Sequence, residues 1–136
     1  MDRRHFIGQG AAALGLLAGF SGQANANLQK AEILVIGGGY GGATAAKYLR
    51  LFSNNTARVT LIEPNTSFIS CPMSNLVIGG SRTLAEITSP YDTLSKRHGI
   101  KIIQDSVSSI DPDKKIVKLA SGKTLRYDKE IGRAHV

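Results

Sequence analysis

Ile33-Leu34-Val35-Ile36-Gly37-Gly38-Gly39-Tyr40-Gly41-Gly42-Ala43-Thr44-Ala45-Ala46-Lys47-Tyr48-Leu49 is the stretch on which the fold turns. Its first four residues are a short, continuous apolar run closed by glycine, the pattern of a strand buried on both faces of a parallel sheet. Gly37, Gly39 and Gly42 then fit G-x-G-x-x-G, and the residues from Ala43 onward continue as a helix. Each glycine has its own duty in such a turn. Gly37 permits the sharp exit from the strand, Gly39 lets the backbone come close to a diphosphate, and Gly42 lets the helix pack on the strand. The start of the helix then presents unpaired N–H groups and the positive end of its dipole to the phosphates. Small side chains at Ala43, Ala45 and Ala46 keep the helix close to the sheet.

A glycine string alone also suits a flexible turn, so its setting decides the reading. About twenty residues on comes Val59-Thr60-Leu61-Ile62-Glu63, a second strand ending in an acid. Glu63 stands where such folds place the carboxylate that accepts hydrogen bonds from ribose hydroxyls, and its charge disfavours a ribose carrying an extra phosphate. The expectation is a dinucleotide-binding α/β domain. FAD and NAD both use this cradle, and the choice between them rests on the later chain. Tyr40 stays open between touching the ligand and filling the loop.

Further along, Ser89-Pro90 followed by Tyr91 to His98 reads as a short helix, with an N-cap serine, proline at its first position and Gly99 just past its end. A third strand is expected from Ile100 to Ile103. Beyond Val107 the alternation of strand and helix stops. Ile116-Val117-Lys118-Leu119, the turn Ser121-Gly122-Lys123 and Thr124-Leu125-Arg126-Tyr127 read as paired strands. A small antiparallel excursion thus replaces the second crossover helix.

The run from Ile33 to Lys129 resembles the FAD domain of the flavin-dependent disulfide-reductase superfamily. The resemblance implies an α/β fold, a Rossmann-like FAD-binding domain whose parallel sheet carries an antiparallel β excursion and which is incomplete at its C-terminal end. It also implies that Val107 lies near the adenine. Within this run, Glu63-Pro64-Asn65-Thr66, Phe68-Ile69-Ser70-Cys71-Pro72-Met73-Ser74-Asn75 and Val77-Ile78-Gly79-Gly80 are similar to the flavoprotein subunits of flavocytochrome c sulfide dehydrogenases. In that family the matching cysteine carries the flavin through a thioether to its 8α-methyl group, which gives Cys71 that role by resemblance. The same likeness implies sulfide as substrate, a separate c-type cytochrome subunit as partner, and a redox-active cysteine pair that lies beyond this chain. Eight positions separate Glu63 from Cys71, and an extended chain of that length reaches about 26 Å, enough to run beside a stretched FAD. The opposing reading of a lone cysteine is a small buried hydrophobe. Sulfide:quinone and NADH:quinone oxidoreductases share the cradle and the excursion and form the first rival. An exported flavin-binding module without turnover forms the second.

The two ends of the chain read differently from its middle. Asp2-Arg3-Arg4-His5-Phe6-Ile7, a weakly apolar run from Ala11 to Phe20 and Ala24-Asn25-Ala26 make a three-part signal peptide over residues 1–26, cleaved near Asn27. The apolar run is about ten residues, short of the ~20 a spanning helix needs, so no permanent membrane anchor is expected. The paired arginines resemble a twin-arginine signal, which implies the Tat export machinery, folded export and a periplasmic destination. At the other end the domain is expected over residues 27–129. Glu130-Ile131-Gly132-Arg133-Ala134-His135-Val136 departs from the apolar strand that the family resemblance calls for. One back-translation of this heptapeptide contains the start of a common sequencing adapter, so residues 130–136 are expected to be artefact and the fragment alone to be inactive.

Composition narrows the partners. The formal net charge is +7, with 17 basic and 10 acidic residues. The basic residues are spread along the chain without interleaved aromatics, which argues against a nucleic-acid partner. A single cysteine rules out a disulfide within the chain, and metal-ligand spacing of the Cys-x-x-Cys kind is absent.

Overall fold

The computed structural model describes residues 30–132. The leader expected over residues 1–26 and the last four residues of the expected foreign tail lie outside them. In chain order the elements are β1 (Glu32–Ile36), α1 (Tyr40–Phe52), β2 (Arg58–Ile62), β3 (Ser67–Ile69), a 3-10 turn at Cys71–Met73, α2 (Ser74–Ile78) and a 3-10 turn at Ala85–Ile87. There follow β4 (Thr88–Pro90), α3 (Asp92–His98), β5 (Lys101–Ile103), β6 (Val107–Asp111), β7 (Ile116–Leu119), β8 (Thr124–Arg126) and β9 (Lys129–Ile131).

Four strands make one parallel sheet in the order β5-β2-β1-β9. The chain leaves β1 toward β2 on one side and returns as β9 on the other. Strand order therefore reverses beside β1, the place where open α/β sheets bind ligands outside the carboxyl ends of their strands. The uninterrupted apolar run of β1 is explained by two layers of cover. Ile33 and Val35 pack with Val59, Leu61, Ala46, Tyr91 and Ile100 on the face that α1 and α3 cover. Leu34 packs with Ile62, Val117 and Leu119 on the opposite face. That second layer is the three-stranded antiparallel sheet β6-β7-β8, inserted between β5 and β9. The expected excursion is thus present, with an irregularity in register between Val107 and Ser109. Of the three small residues expected to keep α1 close, Ala46 alone is fully buried.

Two expectations are corrected. Ser89 and Pro90 do not begin a helix; they belong to β4, where Ser89 pairs with Phe68 and Pro90 with Ser67. The helix starts at Asp92, after an N-cap at Tyr91 that lacks a side-chain cap. Proline fits the edge of a two-stranded ribbon because it has no N–H to offer a ladder. The helix end is as expected, with Gly99 at φ 61. The second correction concerns the strand expected to be missing after Lys129. Lys129–Ile131 pair with Ile33–Val35 in parallel register, although Glu130 rather than an apolar residue stands opposite Leu34. Glu130 Oε1 is buried without a hydrogen-bond partner. The backbone completes the sheet while the side chain sits badly in it.

Arg50 was not singled out by its sequence pattern. On the last turn of α1 it donates from Nε to His98 O at 2.7 Å, and from one terminal nitrogen to Asn55 O at 2.7 Å and to Ala57 O. One guanidinium thus fastens the ends of α1 and α3 to the turn entering β2.

Candidate cofactor-binding site

The loop after β1 is built from three glycines that are required for three different reasons. Gly37 has φ 92, a conformation that side chains strongly disfavour. Its N–H bonds Ile62 O at 2.9 Å, so the turn begins while still tied to β2. A Cβ on Gly42 would overlap the Gly37 carbonyl oxygen and touch Val35 at 3.4 Å. Gly42 is therefore needed for α1 to approach the turn. Gly39 has neither constraint, since its φ is −64 and a Cβ there would meet no protein atom within 4 Å. Nothing inside the protein demands a glycine at this position, which opens onto the crevice.

That crevice is where the predicted residues meet. Gly37, Gly39, Gly42 and Glu63 line it with Ile36 and Gly41. Its neighbouring pocket is lined by Gly37, Glu63, Pro64 and the run Val107–Ile110, so Val107 is brought to the same cleft. On the other side the cleft continues past Asn65, Thr66, Phe68 and Ile69. Cys71 lines none of these pockets. It lies two residues beyond Ile69, exposed and free, with its thiol 3.9 Å from Ile69 O. Within the described residues Cys71 is thus exposed, where the alternative reading expected a buried hydrophobe.

Glu63 is buried, and its oxygens are unequally engaged. Oε1 accepts from Asn65 N–H at 3.0 Å and from the Asn65 side-chain amide at 2.7 Å. Oε2 accepts one bond, from Gly38 N–H at 2.7 Å. A carboxylate oxygen takes about two donors, so Oε1 is full and Oε2 has room for one more. Burial pushes the Glu63 carboxyl up, but the bonds from Gly38 and Asn65 outweigh it and hold the group below the ordinary carboxylate range. It is an anion at neutral pH.

Tyr40, which the sequence left undecided, finds a partner, and so does Tyr91, which its sequence pattern did not single out. Tyr40, on the first turn of α1, bonds through its hydroxyl to the buried Ser70 Oγ, and its ring meets Phe68 edge-on at 4.7 Å. Tyr91 donates its hydroxyl to Gly38 O at 2.9 Å. No local pattern marks this contact, because 53 residues separate the two partners.

The arrangement suits an extended, anionic dinucleotide. The first helix-closing bond of α1 runs from Ala43 N–H to Gly39 O, so the N–H groups of Tyr40, Gly41 and Gly42 precede it at the positive end of the dipole. Residues 31–131 match the pyridine nucleotide-disulphide oxidoreductase family. The chain belongs to that family. It is 53% identical over 46 residues to the flavoprotein chain of sulfide dehydrogenase (flavocytochrome c) from Chlorobaculum thiosulfatiphilum, a match covering 34% of this chain and 94% of that one. It is 35% identical over 99 residues to the mitochondrial sulfide:quinone oxidoreductase of Mus musculus, covering 71% of this chain and 21% of the mouse enzyme. The sulfide:quinone oxidoreductase structure from Aquifex aeolicus superposes with a TM-score of 0.70 at 32% identity, over 75% of this chain and 24% of that one. The chain thus spans about a fifth to a quarter of the two quinone oxidoreductases. The family's cofactor is FAD, and the domain is a Rossmann-like FAD-binding domain. Its residues fit that cofactor: a glycine whose only unmet reason is close approach, helix N–H groups beside it, and one spare carboxylate lone pair.

Among the described residues no helix is long and apolar enough to cross a membrane, and no cluster of three or more His, Cys, Asp or Glu could hold a metal.

Proposed function

We propose that this chain is the FAD-binding part of an exported flavoprotein that oxidises sulfide and passes electrons to a c-type cytochrome. The observation that carries the reading is the free, exposed thiol of Cys71. It follows directly on a strand whose Phe68 and Ile69 line the crevice, in a stretch that resembles the sulfide dehydrogenase flavoproteins. Gly37, Gly39 and Gly42, with the N–H groups of Tyr40–Gly42, hold the diphosphate. Glu63 Oε2 accepts one ribose hydroxyl, and Val107 meets the adenine. Cys71 ties the flavin ring through a thioether. Bound there, FAD supplies two-electron acceptance from sulfide and one-electron release to a haem protein. The twin-arginine leader, Arg3-Arg4, supports Tat export to the periplasm, where a soluble cytochrome is within reach.

A second reading, quinone reduction, is supported by the longer alignment with the mouse sulfide:quinone oxidoreductase and by the Aquifex fold. One experiment on the full-length protein separates them. Sulfide-dependent reduction is followed with cytochrome c or with a soluble quinone, and the protein is then precipitated in acid. Cytochrome reduction and a yellow pellet support the proposal. Quinone reduction with all flavin in the supernatant supports the rival.

A further inference from the structure

Tyr91 lies far in sequence from the glycine loop and takes no part in the roles assigned so far, yet it is one of the best-buried polar side chains near the crevice, 5% exposed. Its ring is packed among the core residues under α1 and α3, and its hydroxyl reaches up to Gly38 O at 2.9 Å. On the other side of the same residue, Gly38 N–H is held by Glu63 Oε2 at 2.7 Å. The middle glycine of the loop is therefore gripped at both its donor and its acceptor.

The consequence follows from peptide geometry. A trans peptide points its carbonyl and its N–H in opposite directions, and the structure contains no cis peptide among its described residues. The carbonyl of Gly38 and the N–H of Gly39 belong to one such unit. Fastening the Gly38 carbonyl inward onto Tyr91 aims the Gly39 N–H the other way. Gly39 borders both the pocket shared with Tyr91 and Gly38 and the one shared with Gly37, Gly42 and Glu63. The same bond removes a carbonyl oxygen from the vicinity of an anionic ligand, where it would repel phosphate. The fit leaves no slack, because a Cβ on Gly38 would lie 2.5 Å from the Tyr91 hydroxyl oxygen and 2.6 Å from the ring carbon bearing it.

We propose that Tyr91 is a positioning residue for cofactor binding, which sets the orientation of the Gly38–Gly39 peptide so that the Gly39 N–H faces the FAD diphosphate. This rests on the FAD reading above. Tyr91→Phe keeps the ring in the core and removes only the hydroxyl. The peptide is then free to turn, and a buried carbonyl loses its partner. A hydrogen bond of this kind contributes about 1.4 kcal/mol or less, so FAD affinity should fall up to about tenfold.

The test uses the full-length protein in a Cys71→Ala background, so that binding is reversible whether or not the thiol is joined to flavin. FAD dissociation constants, the two 31P resonances of bound FAD and the unfolding temperature of the apoprotein are measured in this background with and without the Tyr91→Phe substitution. Weaker binding together with a displaced diphosphate resonance is the expected result. A purely structural hydroxyl would lower the apoprotein's unfolding temperature and leave both resonances in place, which overturns the proposal. Gly38→Ala attacks the same contact from the loop side and should move affinity and resonance in the same direction, so the test survives poor folding of one variant. Unchanged affinity and resonances in either variant refute the role of Tyr91 while leaving FAD binding intact. Failure of the protein that retains Tyr91 to bind FAD at all refutes both.

Discussion

The hydroxyl of Tyr40, on the first turn behind the glycine loop, bonds the buried hydroxyl of Ser70, the residue directly before Cys71. The end of the cradle that would hold diphosphate and the segment that carries the free thiol are thereby tied together, with the Phe68 ring packed edge-on against Tyr40 as a second tie. Tyr40→Phe should leave the ring contact in place, cost about 1 kcal/mol of stability for the lost bond, and lower the acid-stable flavin fraction several-fold. Absorbance of precipitated protein checks this, and an unchanged fraction would show that the tie does not place Cys71.

The loop glycines should separate by what each one serves. Gly39→Ala is expected to cost less than about 1 kcal/mol of apoprotein stability, the loss of a tolerant helix N-cap, while weakening FAD binding strongly. Gly42→Ala should cost about 1–3 kcal/mol from overpacking against the Gly37 carbonyl, whether or not FAD is present. Chemical denaturation with and without FAD measures both. Equal stability losses in the two variants would contradict the division.

Acid should weaken the domain through Glu63. Its folded carboxyl lies below the ordinary value of 4.5, so its contribution is complete above that value and is lost as the pH falls through the lower folded one. Glu63→Gln should flatten this acid limb of the stability profile and lower stability at neutral pH. Superimposable profiles for the two proteins would rule out the carboxylate as the link between Gly38 and Asn65.

Glu130 invites the opposite result, a stabilising substitution. Its Oε1 is buried without a partner close to Gly132, and the residue borders the pocket shared with Glu63 and Val107. Glu130→Leu should raise stability by about 1–3 kcal/mol, the cost of an unsatisfied buried polar group. Thermal unfolding reads the change, and a loss of stability would mean that the carboxylate has a use on this face.

What was legible in the sequence was what local pattern encodes. The run Ile33–Ile36 announced a doubly covered strand because both of its faces are apolar, and the glycine spacing after it fixed the turn and helix. Glu63 was placed by its distance from that turn. The pairing of β3 with β4 was not legible, since three-residue strands carry no periodicity and Ser89-Pro90 has equally good credentials as a helix start. The Arg50–His98, Tyr91–Gly38 and Tyr40–Ser70 bonds were hidden for another reason: their partners lie 48, 53 and 30 residues apart. β9 formed despite its glutamate because main-chain pairing with β1 depends little on which side chain the strand carries.

The central claim is that this crevice holds FAD and that Cys71 bonds to it, and peptide mass spectrometry of the purified full-length protein tests it most directly. After trypsin digestion, the peptide from Val59 to Arg82 should carry the added mass of a flavin nucleotide on Cys71, and Cys71→Ser should lose it while still binding FAD reversibly. A Cys71 thiol left unmodified in protein that takes up no FAD would contradict the account at its root.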